Sequence, residues 1–143
     1  MKEKEILDQH DKHLVFLGAS IGSGCRPCTK YHYMKSLEAG FTENNINRFI
    51  SMAISVRDIA TRNLESFVIN KFPETEPESG IQKNLNRDEI LVGLATSYTA
   101  NFHPGFLIYK NMAQKSGLNK EQLSEILKFS QAVSDKARSI LIE

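Results

Sequence analysis

Apolar positions recur along this chain at helical intervals. Ile6, Leu7, His10, Leu14, Leu17 and Ile21 make an apolar or half-apolar stripe, widened by Val15, Phe16 and Ala19. The spacing predicts a helix over roughly residues 3–22. Gly22-Ser23-Gly24 then breaks it. Gly24 is a permitted N-cap and puts Cys25 and Arg26 in the first turn of the next helix. Pro27 fits there because a helix start does not use its missing N–H. This second helix is expected to run to Ala39 and stop at Gly40, with Phe41 folding back on the last turn.

Thr42 is the next N-cap, helped by Glu43, and a long helix over about 43–71 follows. Ile46, Phe49, Ile50, Ala53, Ile54, Val56, Ile59, Ala60, Leu64, Phe67 and Val68 are its expected buried face. Many of these are β-branched, but they recur with a period near 3.6 rather than 2. Residues 73–86 read as a linker, rich in Pro, Glu, Ser and Gly. Asn86 followed by Glu89 resembles a capping box and opens a helix running to about Asn101.

The second half repeats the first with an offset of 77 places. Leu14-Val15 falls on Leu91-Val92, Leu17 on Leu94, Pro27 on Pro104, Gly40 on Gly117 and Asp58 on Asp135. Two helix punctuators at matching places argue for an internal duplication of a three-helix unit, with repeat one over about 3–72 and repeat two over about 87–143. The expectation is one all-α domain, 1–143.

Composition narrows the class. At 143 residues the chain suits one well-cored domain. Its 41% apolar and 24% charged residues are those of a soluble globular protein. A formal charge of +1 with interspersed signs gives no footprint for nucleic acid or an anionic membrane. No apolar run approaches the roughly 20 residues that cross a bilayer. The charged N-terminus predicts no secretory signal, so the expected location is cytoplasmic.

Candidate chemistry gathers in Cys25-Arg26-Pro27-Cys28-Thr29-Lys30-Tyr31-His32, which holds the only two cysteines. On a helix Cys25, Cys28 and His32 follow i, i+3, i+7 spacing and share a face. In the repeat comparison these three fall on Phe102, Gly105 and Tyr109. The scaffold persists where the reactive groups do not, which favours catalysis over a structural metal. A helix N-terminus and Arg26 stabilise a thiolate, and His32 can accept or shuttle its proton. Attack on an oxidised substrate by one thiolate and then by the other leaves an intramolecular disulfide. No cofactor is needed. Zinc is the competing use, with Cys25, Cys28 and His32 as three ligands and His13 or His10 as a fourth. A site at a helix start, rather than in a knuckle turn, weighs against it. His10 and His13 can face the motif from the first helix, whereas Tyr31 and Tyr33 read as packing residues.

The helix–Gly–Cys-x-x-Cys-x-x-x-His–helix–Ala-Gly–helix pattern resembles the carboxymuconolactone decarboxylase superfamily, in its alkylhydroperoxidase-D-like branch. The likeness is close over about 10–68 and weaker over 88–142. It implies an alkylhydroperoxidase-D-like helical bundle built from two three-helix repeats. It also implies a thiol-dependent peroxidase or disulfide reductase, assembled as a trimer or hexamer and fed by a thiol electron-donor protein. Cys28 would be the peroxide-reactive thiol, Cys25 its resolving partner and His32 a proton-relay member. The branch carries a glutamate at the place of His13. A histidine there can relay protons but does not hold His32 as an imidazolium, so dithiol–disulfide exchange survives this change better than peroxide turnover. Two other readings are a catalytically silent or metal-binding helical oligomerisation module, and a small-molecule decarboxylase or lyase. The decarboxylase activity in the superfamily's name goes with members that lack the cysteine pair.

Overall fold

The apolar stripes close on one another as helices, and among the described residues there is no strand. The computed structural model describes residues 6–74 and 80–142. Its elements are α1 (Gln9–Gly22), α2 (Arg26–Glu38), α3 (Glu43–Ile69), α4 (Arg87–Thr99), α5 (His103–Lys115) and α6 (Lys120–Leu141). The last three follow the first three in order, and α5 occupies the α2 positions moved along by 77.

Polar side chains set the starts. Asp8 caps α1 by accepting the Asp11 N–H at 2.8 Å, so this helix begins at Gln9 rather than near residue 3. Residues 3–5 lie outside the described ones. Thr42 caps α3, and Asn86 with Glu89 forms the expected capping box at α4. A second box, Asn119 with Gln122, starts α6.

The ends share one device. Gly40 (φ +101°) donates to Leu37 O at 3.0 Å, and Phe41 donates to Ser36 O at 3.1 Å. That paired return satisfies carbonyls the helix leaves open. The same corner recurs at Gly24 and, 77 residues on, at Asn101. Asn101 (φ +58°) therefore lies past α4, which stops at Thr99. Likewise α3 stops at Ile69, where Lys71 and Phe72 turn to positive φ. Of the expected linker, residues 75–79 lie outside the described ones.

Packing centres on α1 and α4. Gly18 and Gly22 bring the backbones close enough for Thr96 Oγ1 to donate to Gly18 O (3.1 Å) and Thr99 Oγ1 to Ala19 O (2.9 Å). At the other end buried Asp11 receives two hydrogen bonds from Arg87, at 2.7 and 3.0 Å. Each third helix crosses to the other repeat: α3 packs on α1 and α4, and α6 does the same. Leu14, Leu17, Leu91 and Leu94 are fully buried in the resulting core, each contributing about 2 kcal/mol.

The expected buried face of α3 is only half right. Ile46, Phe49, Ala53, Val56 and Ile59 are buried, but Ile54, Leu64 and Val68 are exposed. The helix continues past Ile59 with Leu64, Val68 and Ile69 of its apolar stripe exposed.

Candidate active site

The corner at Gly24 places the cysteines. Gly24 (φ +71°) completes the end of α1, and Cys25, not Gly24, is the N-cap of α2. Its Sγ accepts the Cys28 N–H at 3.2 Å. Pro27 stands in the first turn, as its chemistry requires. Cys25 and Cys28 are at disulfide distance, with Cα atoms 5.3 Å apart, and both are buried. A proximal dithiol able to close on itself is compatible with redox chemistry. In this form the two sulfurs are bonded to each other rather than offered as metal ligands. Once reduced, Cys25 sits where the first N–H groups and the dipole of α2 favour its thiolate.

Cys28 and His32, one turn apart on α2, line a cavity of about 520 Å³. Phe16 of α1 forms one wall, and Val133 and Ile140 of α6 form the opposite one. The second repeat thus closes the site of the first. Phe16 and His32 stack with centroids 4.9 Å apart, and Tyr31 meets the imidazole edge-on at 5.1 Å. Tyr31, expected in the core, is 57% exposed and borders the cavity instead. Tyr33 packs against the core. Burial, reinforced by His13, lowers the His32 pKa to about 4. At neutral pH this imidazole is uncharged and serves as a hydrogen-bond acceptor.

His13 reaches His32 electrostatically from α1 but does not line the cavity. Its ring lies edge-on to Phe41 at 6.0 Å, and its Nδ1 is buried without a hydrogen-bond partner. Burial, then His10, depresses its pKa. His10 stacks on Phe41 (5.0 Å) and pairs Nε2 with Asp88 at 3.0 Å. His10, Asp11 and Asp88 bring their ligand atoms within 4.8 Å of one another, but Asp11 is engaged by Arg87. Of the four residues singled out in the sequence, Cys28 and His32 share the cavity and Cys25 is bonded at its edge. His13 stands behind them.

The second repeat shows the same place filled. Phe102 replaces Cys25 at the cap, and its ring covers Gly105, the counterpart of Cys28. Tyr109, the counterpart of His32, is buried, and burial pushes its pKa up to about 12. Where the first repeat has a cavity, the second has aromatic packing.

Sequence reasoning missed Phe16 as a wall of the site and missed the α6 contribution altogether. The signal for α6 was present in the duplication: a third helix that crosses to one repeat's partner must, by symmetry, be matched by the other.

The cysteine pair and its helical setting fall within a family match. Residues 1–63 match the model of the Carboxymuconolactone decarboxylase family. The match takes in α1, α2 and most of α3, hence Cys25, Cys28, His32 and His13 together. No curated protein and no solved structure matches the chain. This likeness over the first 63 residues and the paired sulfurs are jointly compatible with a redox enzyme.

Proposed function

We propose that this protein is a thiol-dependent oxidoreductase that reduces a peroxide, or a disulfide in a partner, through a Cys25/Cys28 dithiol–disulfide cycle. The observation that carries this reading is the shared cavity: Cys28 and His32 open into one apolar space, with Cys25 already at bonding distance behind. In the reduced protein the Cys28 thiolate attacks the substrate. With a peroxide, sulfur bonds to the outer oxygen, the O–O bond breaks, an alcohol leaves and Cys28 becomes a sulfenic acid. The Cys25 thiolate then attacks that sulfur, the disulfide closes and water leaves. With a disulfide substrate the same two attacks pass through a mixed disulfide.

His32 takes part as an acceptor, not as a store of protons. With its pKa near 4, full transfer from an ordinary thiol near 8.5 is uphill by roughly 6 kcal/mol. The proton therefore moves on, and His13 is the relay group behind the imidazole. Two electrons from a thiol donor reopen the disulfide. We also assign the uncovered stripe of Ile54, Leu64, Val68 and Ile69 on α3 to contacts between copies, in a homo-oligomer such as a trimer or hexamer. A reducing compartment such as the cytoplasm suits the cycle.

The test is thiol-dependent peroxide consumption by Cys28→Ser and by His32→Gln. Cys28→Ser should fall to the uncatalysed background and His32→Gln should lose about tenfold or more. Turnover that persists in Cys28→Ser removes the proposal.

A further inference from the structure

We infer that the oxidised pair is approached from two sides, and that the groove on the Cys25 side receives the electron donor, a small thiol carrying carboxylate groups. The inference rests on the redox reading above and specifies its reductant.

Pro27 and Ile140 border two separate spaces. Cys28 faces the apolar cavity with Phe16, Val133 and His32. Cys25 lines a second groove of about 400 Å³, between the start of α2 and the end of α6. The disulfide thus joins a residue of the cavity lining to a residue of the groove lining. The groove is chemically unlike the cavity. Arg26 and Arg138 line it, with Thr99, Asn101 and Ser134, and among the described residues its lining holds no carboxylate. A third guanidinium, that of Arg57, closes on Gly24 beside it: Arg57 Nη2 lies 2.8 Å from where a Cβ on Gly24 would stand.

An attacking thiolate is an anion. The cavity lining carries one cation, Lys136, among apolar side chains and a neutral imidazole, while the groove offers two guanidinium groups with hydrogen-bonding side chains beside them. Guanidinium groups bind carboxylates in paired hydrogen bonds, so a thiol bearing carboxylates gains where a neutral one does not. Separate entrances also keep oxidant and reductant from competing for one space.

The step balances with two donor thiols. The first thiolate attacks the Cys25 sulfur and the Cys25–Cys28 bond breaks. Cys28 leaves with the bonding pair and takes up the proton the donor lost. A second donor thiolate attacks the donor's own sulfur in this mixed disulfide. The donor disulfide departs, and Cys25 leaves as a thiolate held by the Cys28 N–H. Two donor thiols are oxidised and one protein disulfide is reduced.

The experiment follows reduction of the oxidised full-length protein by mercaptosuccinate and by neutral 2-mercaptoethanol, using stopped-flow and acid-quenched mass mapping. The wild type should prefer mercaptosuccinate at equal thiolate concentration, and added salt should erode the preference. In Arg26→Ala/Arg138→Ala the ratio of the two rates should fall about tenfold, and Arg26→Lys/Arg138→Lys should restore part of it. The quenched mixed disulfide should map to Cys25. A rate ratio that the double variant leaves intact, or an adduct on Cys28, overturns the donor groove while leaving the Cys28→Ser peroxide test untouched. Failure of every thiol to reduce the pair overturns both readings.

Discussion

Phe16 lies face to face on His32, with ring planes 9° from parallel. One ring comes from α1 and the other from α2, so the contact ties the reactive helix to the core helix. It also covers one face of the imidazole, and burial is the leading cause of the lowered His32 pKa. Replacing Phe16 by Ala should let water in and move the His32 pKa up from about 4 toward the ordinary 6.5. Imidazole NMR titration of the oxidised protein reads this directly. A value that stays near 4 would show that the stack is not what dries the ring.

Acid should weaken the fold through the same group. Native His32 takes its proton only near pH 4, whereas the unfolded chain takes it near 6.5. Between those values the unfolded state binds more protons, so stability falls as pH falls through that window and is flat above it. His13, also depressed, adds in the same direction. After discounting for partial exposure the loss is about 1–2 kcal/mol. Urea midpoints at pH 7 and pH 5 should differ in the wild type and differ less in His32→Gln, where His13 alone remains.

Two glycines should respond differently to alanine. A Cβ on Gly22 would run into Thr99 Oγ1 and the Thr96 backbone of α4. That neighbour cannot swing aside, so Gly22→Ala should cost about 3 kcal/mol. The atoms nearest to a Cβ on Gly105 belong to the Phe102 ring, a side chain rather than helix backbone, so the clash can be relieved at lower cost. Gly105→Ala should therefore lose about 1–2 kcal/mol. Equal losses by chemical denaturation would contradict this reading of the α1–α4 contact.

Arg87→Ala should be among the more damaging surface truncations. It leaves the Asp11 carboxylate buried between α1 and α4 without its bidentate partner. Removing one member of such a pair costs about 3 kcal/mol. Asp11→Asn/Arg87→Ala should recover part of that loss, and thermal unfolding of the two variants decides it.

Charge on the open part of α3 should dissociate the proposed oligomer. Leu64→Asp with Val68→Asp puts two carboxylates on the exposed stripe without touching the core. Sedimentation should shift to the monomer while helical circular dichroism is kept. An assembly that survives both changes would place the interface elsewhere.

Much of the fold was legible because its punctuation is local. Gly40, Thr42 and the Asn86–Glu89 box act within a few residues, so composition reveals them. The offset of 77 residues exposed the second set of helices without any contact information. Other features were hidden because they depend on distant partners. Asp11 meets Arg87 and Phe16 meets His32 only once α1 has neighbours. The stripe on α3 looked continuous, and nothing local marks where its cover ends. The cap at Cys25 was misplaced by one residue because Gly24 is equally suited to closing the preceding helix, which is the role it has.

The aromatic plug formed by Phe102 and Tyr109 has a stoichiometric consequence. Each polypeptide holds a single two-electron centre despite its doubled architecture, so a reductive titration of any assembly counts subunits rather than repeats.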